Sequence, residues 1–177
     1  LRIELRRTLR DVSEKLGQTI IYVTHDQTEA LTIGDMIAVM KDGKIIQFDV
    51  PEEVYLRPKN TFVAWFIGNP GMNFIECDVV KKNGTVYLDA GAFRYDVTKV
   101  MSKVFEELKI SRVIMGIRPE HITVKPKKDD LHTIKGKVDS IERFGNVSLL
   151  YVSLDGQITL KVKVGGYLAF KPNDEIW

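Results

Sequence analysis

The second part of the chain consists of short runs in which apolar and polar residues alternate, and this pattern limits the fold most strongly. Seven such runs are FIECDVV, TVYLDA, AFRYDV, RVIMGIR, IKGKVDSIERF, NVSLLYVSL and QITLKVKV. Turn signals such as Asn83-Gly84 and Asp155-Gly156 separate most of them. Many short alternating strands with turn signals are typical of small barrels and sandwiches. We therefore predict an all-β domain here, with one helix among the strands at residues 98–109.

The first part of the chain has a different pattern, in which helices and apolar strands alternate. Apolar residues at spacings of three and four predict a helix over residues 1–16. The apolar run TIIYV at 19–23 predicts a strand buried on both faces, as in a parallel sheet. Asp26 is placed to cap a second helix that ends at Gly34, with Glu29 completing a capping box. MIAVM, KDG and KIIQFD then predict a hairpin with a type I′ turn, and the whole order indicates an α/β fold.

Two short helices follow the hairpin and lead to a domain boundary. PEEVYLR begins with Pro51, which suits a first helical turn, and TFVAWFIG follows Asn60, which can cap a helix. The NPGMN segment at 69–73 has the composition of a turn or linker. The sequence thus predicts two domains, residues 1–70 and 71–177. Two helices and two strands do not bury a parallel sheet, and EIW looks like a strand just begun, so we expect both ends to be truncated.

The composition argues against several classes of protein. No apolar run approaches the roughly 18–20 residues that span a bilayer, and the charged start LRIELRRTLR does not resemble a signal peptide. Cys77 is the only cysteine, which rules out an internal disulfide framework and suits a reducing cytosol. The net charge of +2 is too small to indicate a nucleic-acid or membrane partner by itself.

The chain carries no recognisable nucleotide-binding loop, metal cluster or nucleophile motif. A Walker loop needs a glycine five residues before a Gly-Lys pair, and neither Gly43-Lys44 nor Gly136-Lys137 has one. The histidines are dispersed at His25, His121 and His132, without the spacing of a zinc site. No serine lies in a nucleophile-elbow pattern. We therefore predict no metal site in this chain.

His25 differs from the other histidines in its position. It follows the predicted strand at 19–23 and precedes the helix capped by Asp26. Ligands of α/β proteins bind in the crevice beyond the carboxyl ends of the strands, where an imidazole N–H could contact a phosphate oxygen. A packing or capping histidine bonded to its own loop would occupy the same position. Position alone leaves both interpretations open.

A long segment around His25 resembles a known family. The segment IYVTHDQTEALTIGDMIAVMKDGKIIQFDVPEEVYLRPKNTFVAWFIGNPGMNF is similar to the C-terminal part of the ATP-binding subunit of ABC importers, closest to those for sugars and glycerol phosphate. YVTHDQ matches the switch-histidine motif of that family. GIRPEH at 116–121 is typical of its C-terminal regulatory domain, an OB-fold-like barrel. We expect structural roles there, with Pro119 shaping a turn and Arg118 pairing with Glu120. The resemblance covers essentially the whole chain.

The resemblance implies that His25 is the switch histidine, which contacts the ATP γ-phosphate and helps to position the attacking water. It implies ATP and Mg²⁺ as cofactors of the complete subunit. It also implies a homodimer of ATPase subunits, transmembrane permease subunits and regulatory proteins as partners, on the cytoplasmic face of the cell membrane. The Walker A loop, Q-loop, LSGGQ signature and Walker B residues of the family precede this region. We therefore expect these 177 residues alone neither to bind ATP tightly nor to hydrolyse it.

The β-rich region also allows other interpretations. Residues 71–177 could form a stand-alone OB-like module for regulation, dimerisation or ligand binding. A nucleic-acid-binding barrel would need stacking aromatic residues in a basic groove. The aromatic residues available alternate with apolar ones, so we expect them to pack in the core and expect no nucleic-acid partner. They are Phe93, Tyr95, Phe144 and Tyr151.

Overall fold

The chain divides into two compact units, Leu1–Gly71 and Met72–Trp177. The computed structural model describes residues 4, 8, 11–12, 15, 17–99, 104–105, 109–128, 133–166 and 169–177. Most residues of the helices predicted over 1–16 and 98–109 lie outside the described residues, as does His132.

From residue 17 onward, the described part of the first unit contains three short helices and one hairpin. Its elements are α1 (Gln27–Ile33), β1 (Ile37–Lys41), β2 (Lys44–Asp49), α2 (Pro51–Leu56) and α3 (Thr61–Phe66). Strands β1 and β2 pair in the antiparallel direction. One small core joins the hairpin to α2, α3 and the residue after α3, through Ile37, Val39, Val54, Val63 and Ile67.

Local signals in the sequence explain most of these boundaries. Asp26 is the N-cap of α1, where its carboxylate accepts two backbone N–H groups, and Gly34 is the C-cap. Asn60 caps α3 by accepting the N–H of Val63 at 3.0 Å. In the β1–β2 turn, Asp42 and Gly43 have φ values of +49° and +73°, as a type I′ turn requires. These predictions are confirmed.

The strand predicted over residues 19–23 is not formed, and this correction concerns the segment just before His25. Residues 18–24 have no regular secondary structure, and Ile21 and Val23 are 88% and 90% exposed. A strand exists only where a neighbouring strand accepts its backbone hydrogen bonds. The only strand pair described in the first unit is β1–β2. The predicted parallel sheet is therefore absent from the described part of this unit, whose one strand pair is antiparallel.

The second unit consists of two four-stranded antiparallel sheets. Its strands are β3 (Asn73–Lys82), β4 (Thr85–Asp89), β5 (Arg94–Asp96), β6 (Arg112–Ile117), β7 (Gly136–Phe144), β8 (Val147–Leu154), β9 (Ile158–Gly165) and β10 (Glu175–Ile176). One sheet has the order β5-β4-β3-β6, and the other has the order β10-β7-β8-β9. Each of the seven predicted runs becomes one of the strands β3 to β9, so the all-β prediction is confirmed.

The two sheets of the second unit share one hydrophobic core. Buried side chains from β3 and β4 pack in the same cluster as those from β7, β8 and β9, and Cys77 is among them. Asn73, at the start of β3, is 5% exposed and joins the two sheets. Its Nδ2 donates to the carbonyl of Lys161 and its Oδ1 accepts the N–H of Lys161, both at 2.8 Å. This pair of bonds attaches β3 to the edge of β9.

Two of the four aromatic residues expected in this core lie on the surface instead. Phe93 packs against the core, but Tyr95 and Phe144 are 59% and 60% exposed. All three residues of the short strand that carries Tyr95 are exposed, and Phe144 ends its strand opposite Val147 beside a turn. The EIW segment, in turn, is not left as an unpaired strand. Its residues Glu175 and Ile176 pair with β7.

Candidate functional site

The two residues that flank His25 are fixed by hydrogen bonds, while His25 itself is exposed. The backbone N–H of Asp26 donates to Thr24 Oγ1 at 2.9 Å. Asp26 Oδ1 in turn accepts the N–H groups of Thr28 at 2.8 Å and Glu29 at 3.2 Å. In the described part of the chain, no hydrogen bond or ion pair involves the imidazole of His25. The loop thus presents the histidine ring to solvent from a backbone that is held on both sides.

Glu29 connects this loop to the segment before it. Its Oε2 accepts the hydroxyl of Tyr22 at 3.0 Å and the hydroxyl of Thr24 at 2.9 Å. The capping-box prediction is thus only half right. Asp26 caps the helix, but its own N–H donates to Thr24 Oγ1, and Glu29 binds the two hydroxyl groups. Thr24 therefore accepts the N–H group that the spacing assigned to Glu29, and Glu29 in turn binds Thr24.

Gln27, the first residue of α1, makes a contact distant in sequence. Its Oε1 accepts the backbone N–H of Gly68 at 2.7 Å. The histidine loop is thereby bonded to the segment that follows α3. The sequence gives no signal for this contact, because 41 residues separate donor and acceptor.

The described residues do not form a site for Mg²⁺ or for a nucleotide by themselves. No group of three or more His, Cys, Asp or Glu side chains in the described ranges could hold a metal ion. One surface concavity of the first unit is lined by β2 residues with Arg57 and Lys59, and His25 is not part of its lining. Arg57 there pairs with Glu53. Among the described residues, neither this concavity nor any carboxylate cluster offers a lining for ATP and Mg²⁺.

The GIRPEH segment forms a tight corner in the second unit. Arg118 and Pro119 are buried, and Pro119–His121 forms a single 3-10 turn closed by the His121 N–H on the Arg118 carbonyl at 2.9 Å. The prediction that Pro119 shapes a turn is confirmed. His121 is exposed and belongs to a different unit from His25.

Family models match the second unit and the end of the first. Residues 68–122 match the MalK OB fold domain, and residues 115–177 match the TOBE domain. The strand-rich second unit is therefore an OB-like β domain, as the resemblance predicted, and its all-β character follows the prediction from the alternating runs. None of the helices in the described ranges is long and apolar enough to cross a membrane.

Individual relatives extend the match over the first unit as well. The chain is 39% identical to the trehalose/maltose import ATP-binding protein MalK of Thermococcus litoralis, over 88% of this chain and 43% of that protein. It is 36% identical to the oligosaccharides import ATP-binding protein MsmX of Bacillus subtilis, over 99% of this chain and 48% of the relative. Over almost its whole length the chain is therefore similar to the C-terminal region of ABC importer ATP-binding proteins.

The similarity extends over only a part of each of these proteins. A third relative, the sn-glycerol-3-phosphate import ATP-binding protein UgpC of Ruegeria pomeroyi, is 36% identical over 96% of this chain and 44% of its own length. The chain spans about half the length of the curated relatives that it matches. Its region corresponds to the one that carries the OB fold and TOBE domains.

Proposed function

We propose that this chain is part of the ATP-hydrolysing subunit that powers an ABC importer for sugars or related solutes. In this reading, residues 1–70 are the C-terminal portion of the nucleotide-binding domain, and residues 71–177 are its OB-like regulatory domain. The names of the relatives, which import trehalose, maltose, oligosaccharides and sn-glycerol-3-phosphate, support this class of solute.

His25 is the residue of this chain that takes part in ATP hydrolysis in the complete subunit. It contacts the γ-phosphate of ATP and helps to position the attacking water. The observation that carries the proposal is the exposed imidazole between Thr24 and Asp26, whose backbone is fixed on either side. Because the backbone on either side is already fixed, His25 loses only side-chain freedom on meeting a ligand, which favours a positioned contact in the transition state.

The remaining parts of the ATP site come from outside these residues. ATP and Mg²⁺ belong to the complete subunit, and the 177-residue chain binds neither of them tightly. The partners of the complete subunit are a second ATPase subunit, transmembrane permease subunits and regulatory proteins that dock on the OB-like domain. The permease subunits keep it on the cytoplasmic face of the cell membrane.

The test is a substitution in the complete subunit assembled with its permease. His25→Ala should remove most ATP turnover and leave ATP binding nearly unchanged, since the groups that hold the nucleotide lie elsewhere. Removal of a group that acts in the transition state typically lowers kcat by roughly 100-fold or more. His121→Ala is the matched control, because it removes an exposed histidine of the other unit. If His25→Ala hydrolyses ATP as fast as the control His121→Ala, the role of His25 is structural.

A second candidate function is a regulatory or dimerisation module. It is favoured by the observation that the second unit has a core of its own, built from both of its sheets. The coding sequence upstream of Leu1 distinguishes the two candidates. A Walker A loop, an LSGGQ signature and an Asp-Glu pair there would support the ATPase, and an unrelated sequence would support the module.

A further inference from the structure

The bond between Gln27 and Gly68 joins the histidine loop to the end of the first unit. Gln27 lies two residues after His25, and its Oε1 accepts the Gly68 N–H at 2.7 Å. Gly68 has a φ of +139°, a backbone conformation that side-chain-bearing residues rarely adopt. Glycine at this position therefore allows the backbone turn in which this N–H group meets Gln27.

The segment around Gly68 is itself held firmly in the first unit. Ile67 is 2% exposed and belongs to the core, and its N–H donates to the carbonyl of Val63 at 2.8 Å. Gly71 packs so closely on α3 that an added Cβ would clash with the carbonyl oxygen of Trp65. The segment 67–71 is thus a fixed point, and the second unit begins at the next residue, Met72.

Helix α1, in contrast, has weak attachments to this core. None of its residues is buried, and Ala30 and Leu31 are only partly buried against the core cluster. Both lie in the second half of the helix, away from His25. Near His25, a long-range hydrogen bond runs from the start of α1 to the segment after α3, between Gln27 and Gly68.

We propose that Gln27 is a positioning residue that sets the place of His25 by bonding its loop to the segment leading into the second unit. The inference rests on the proposed role of His25. Because residues 67–71 are fixed, this bond holds the start of α1, including its cap Asp26, in one place. The connection between the two units is thereby coupled to the switch histidine through one side-chain hydrogen bond.

The first test uses the 177-residue chain and does not depend on ATP. Amide hydrogen exchange at Gly68 and the ring resonances of His25 are measured by NMR in Gln27→Ala and Gln27→Glu. Loss of one hydrogen bond should speed Gly68 exchange by roughly 3- to 10-fold in Gln27→Ala and shift the His25 resonances. Gln27→Glu keeps an Oε acceptor and should restore both. Unchanged exchange in Gln27→Ala would overturn the bond itself.

The second test measures ATP turnover by the complete subunit with its permease. Gln27→Ala should lower kcat by roughly 3- to 10-fold with little change in KM, and Gln27→Glu should recover it. Glu52→Ala, an exposed change on α2, is the control. If His25→Ala leaves turnover unchanged, the proposed function fails. If His25→Ala abolishes turnover while Gln27→Ala leaves kcat unaltered, only the positioning role fails.

Discussion

Asn73→Ala should destabilise the second unit strongly, because one buried side chain links its two sheets. Asn73 makes two bonds of 2.8 Å to the backbone of Lys161 and is 5% exposed. Two hydrogen bonds contribute about 1 kcal/mol each, and each orphaned buried backbone group costs about 1–3 kcal/mol more. Since β9 is an edge strand, water can satisfy part of this loss. We expect a decrease of about 2–4 kcal/mol in the free energy of unfolding, a large share of the roughly 5–15 kcal/mol of a typical domain.

The assay is urea unfolding followed by the fluorescence of Trp177 in a Trp65→Phe background. Trp177 belongs to the second unit, where its backbone pairs with Lys125, so its signal reports the domain that carries the change. With a urea slope of about 2 kcal/mol per M, the middle of the usual range, the midpoint should fall by roughly 1–2 M. Asn146→Ala, an exposed amide in the β7–β8 turn, is the control. A midpoint equal to that of the parent would refute the claim that Asn73 joins the sheets.

Two further predictions concern pH and association. The backbone N–H of Gly91 and the guanidinium of Arg94 lower the pKa of Asp89. This carboxylate therefore stabilises the fold at pH values above its unfolded pKa of about 3.9. The stabilisation disappears as the pH falls through the lower pKa of the folded state. Asp89→Asn should flatten the loss of stability below about pH 4 in acid titrations, and a pH profile that stays as steep as the parent's would contradict this. The exposed run at 19–23 should make the 177-residue protein associate as concentration rises, because Ile21 and Val23 are 88% and 90% exposed. Light scattering should show less association in the double variant Ile21→Lys, Val23→Lys than in the parent protein. The control Thr32→Lys should associate as the parent does. A parent protein that is monomeric at every concentration would argue against the run as the contact.

The parts of the fold that could be predicted from the sequence are those with local signals. Each strand from β3 to β9 alternates within its own residues, and the Asp42-Gly43 turn carries its own backbone preference. The strand prediction for residues 19–23 is wrong because burial on both faces depends on neighbouring strands. The residues of the run carry no information about whether such strands are present. The predicted burial of Tyr95 and Phe144 is wrong for a related reason. Tyr95 lies in a three-residue edge strand and Phe144 ends its strand, and at both places a side chain can face either solvent or core.

The candidate site likewise has local features that the sequence predicts and long-range contacts that it does not. The position of His25 next to a helix cap is visible in the sequence, and Asp26 caps that helix as predicted. The predicted partner of Glu29 is wrong, because spacing alone cannot show whether its carboxylate accepts the Asp26 N–H or the hydroxyl groups of Tyr22 and Thr24. The bond from Gln27 to Gly68 had no local signal, since it depends on how α3 returns to α1. Contacts between distant residues require the folded chain.

The buried amide of Asn73 has a consequence for which substitutions the chain tolerates. In the described part of the chain, the bonds of its side chain go to backbone atoms of Lys161. Those of the buried Gln47 likewise go to backbone groups, the carbonyl of Arg57 and the N–H of Lys59. Every residue type provides the same carbonyl, and every type except proline provides the same N–H. Asn73 and Gln47 are therefore restricted in identity, while their partner positions can vary. Paired changes across homologues would not reveal either contact, although each holds two segments of the chain together.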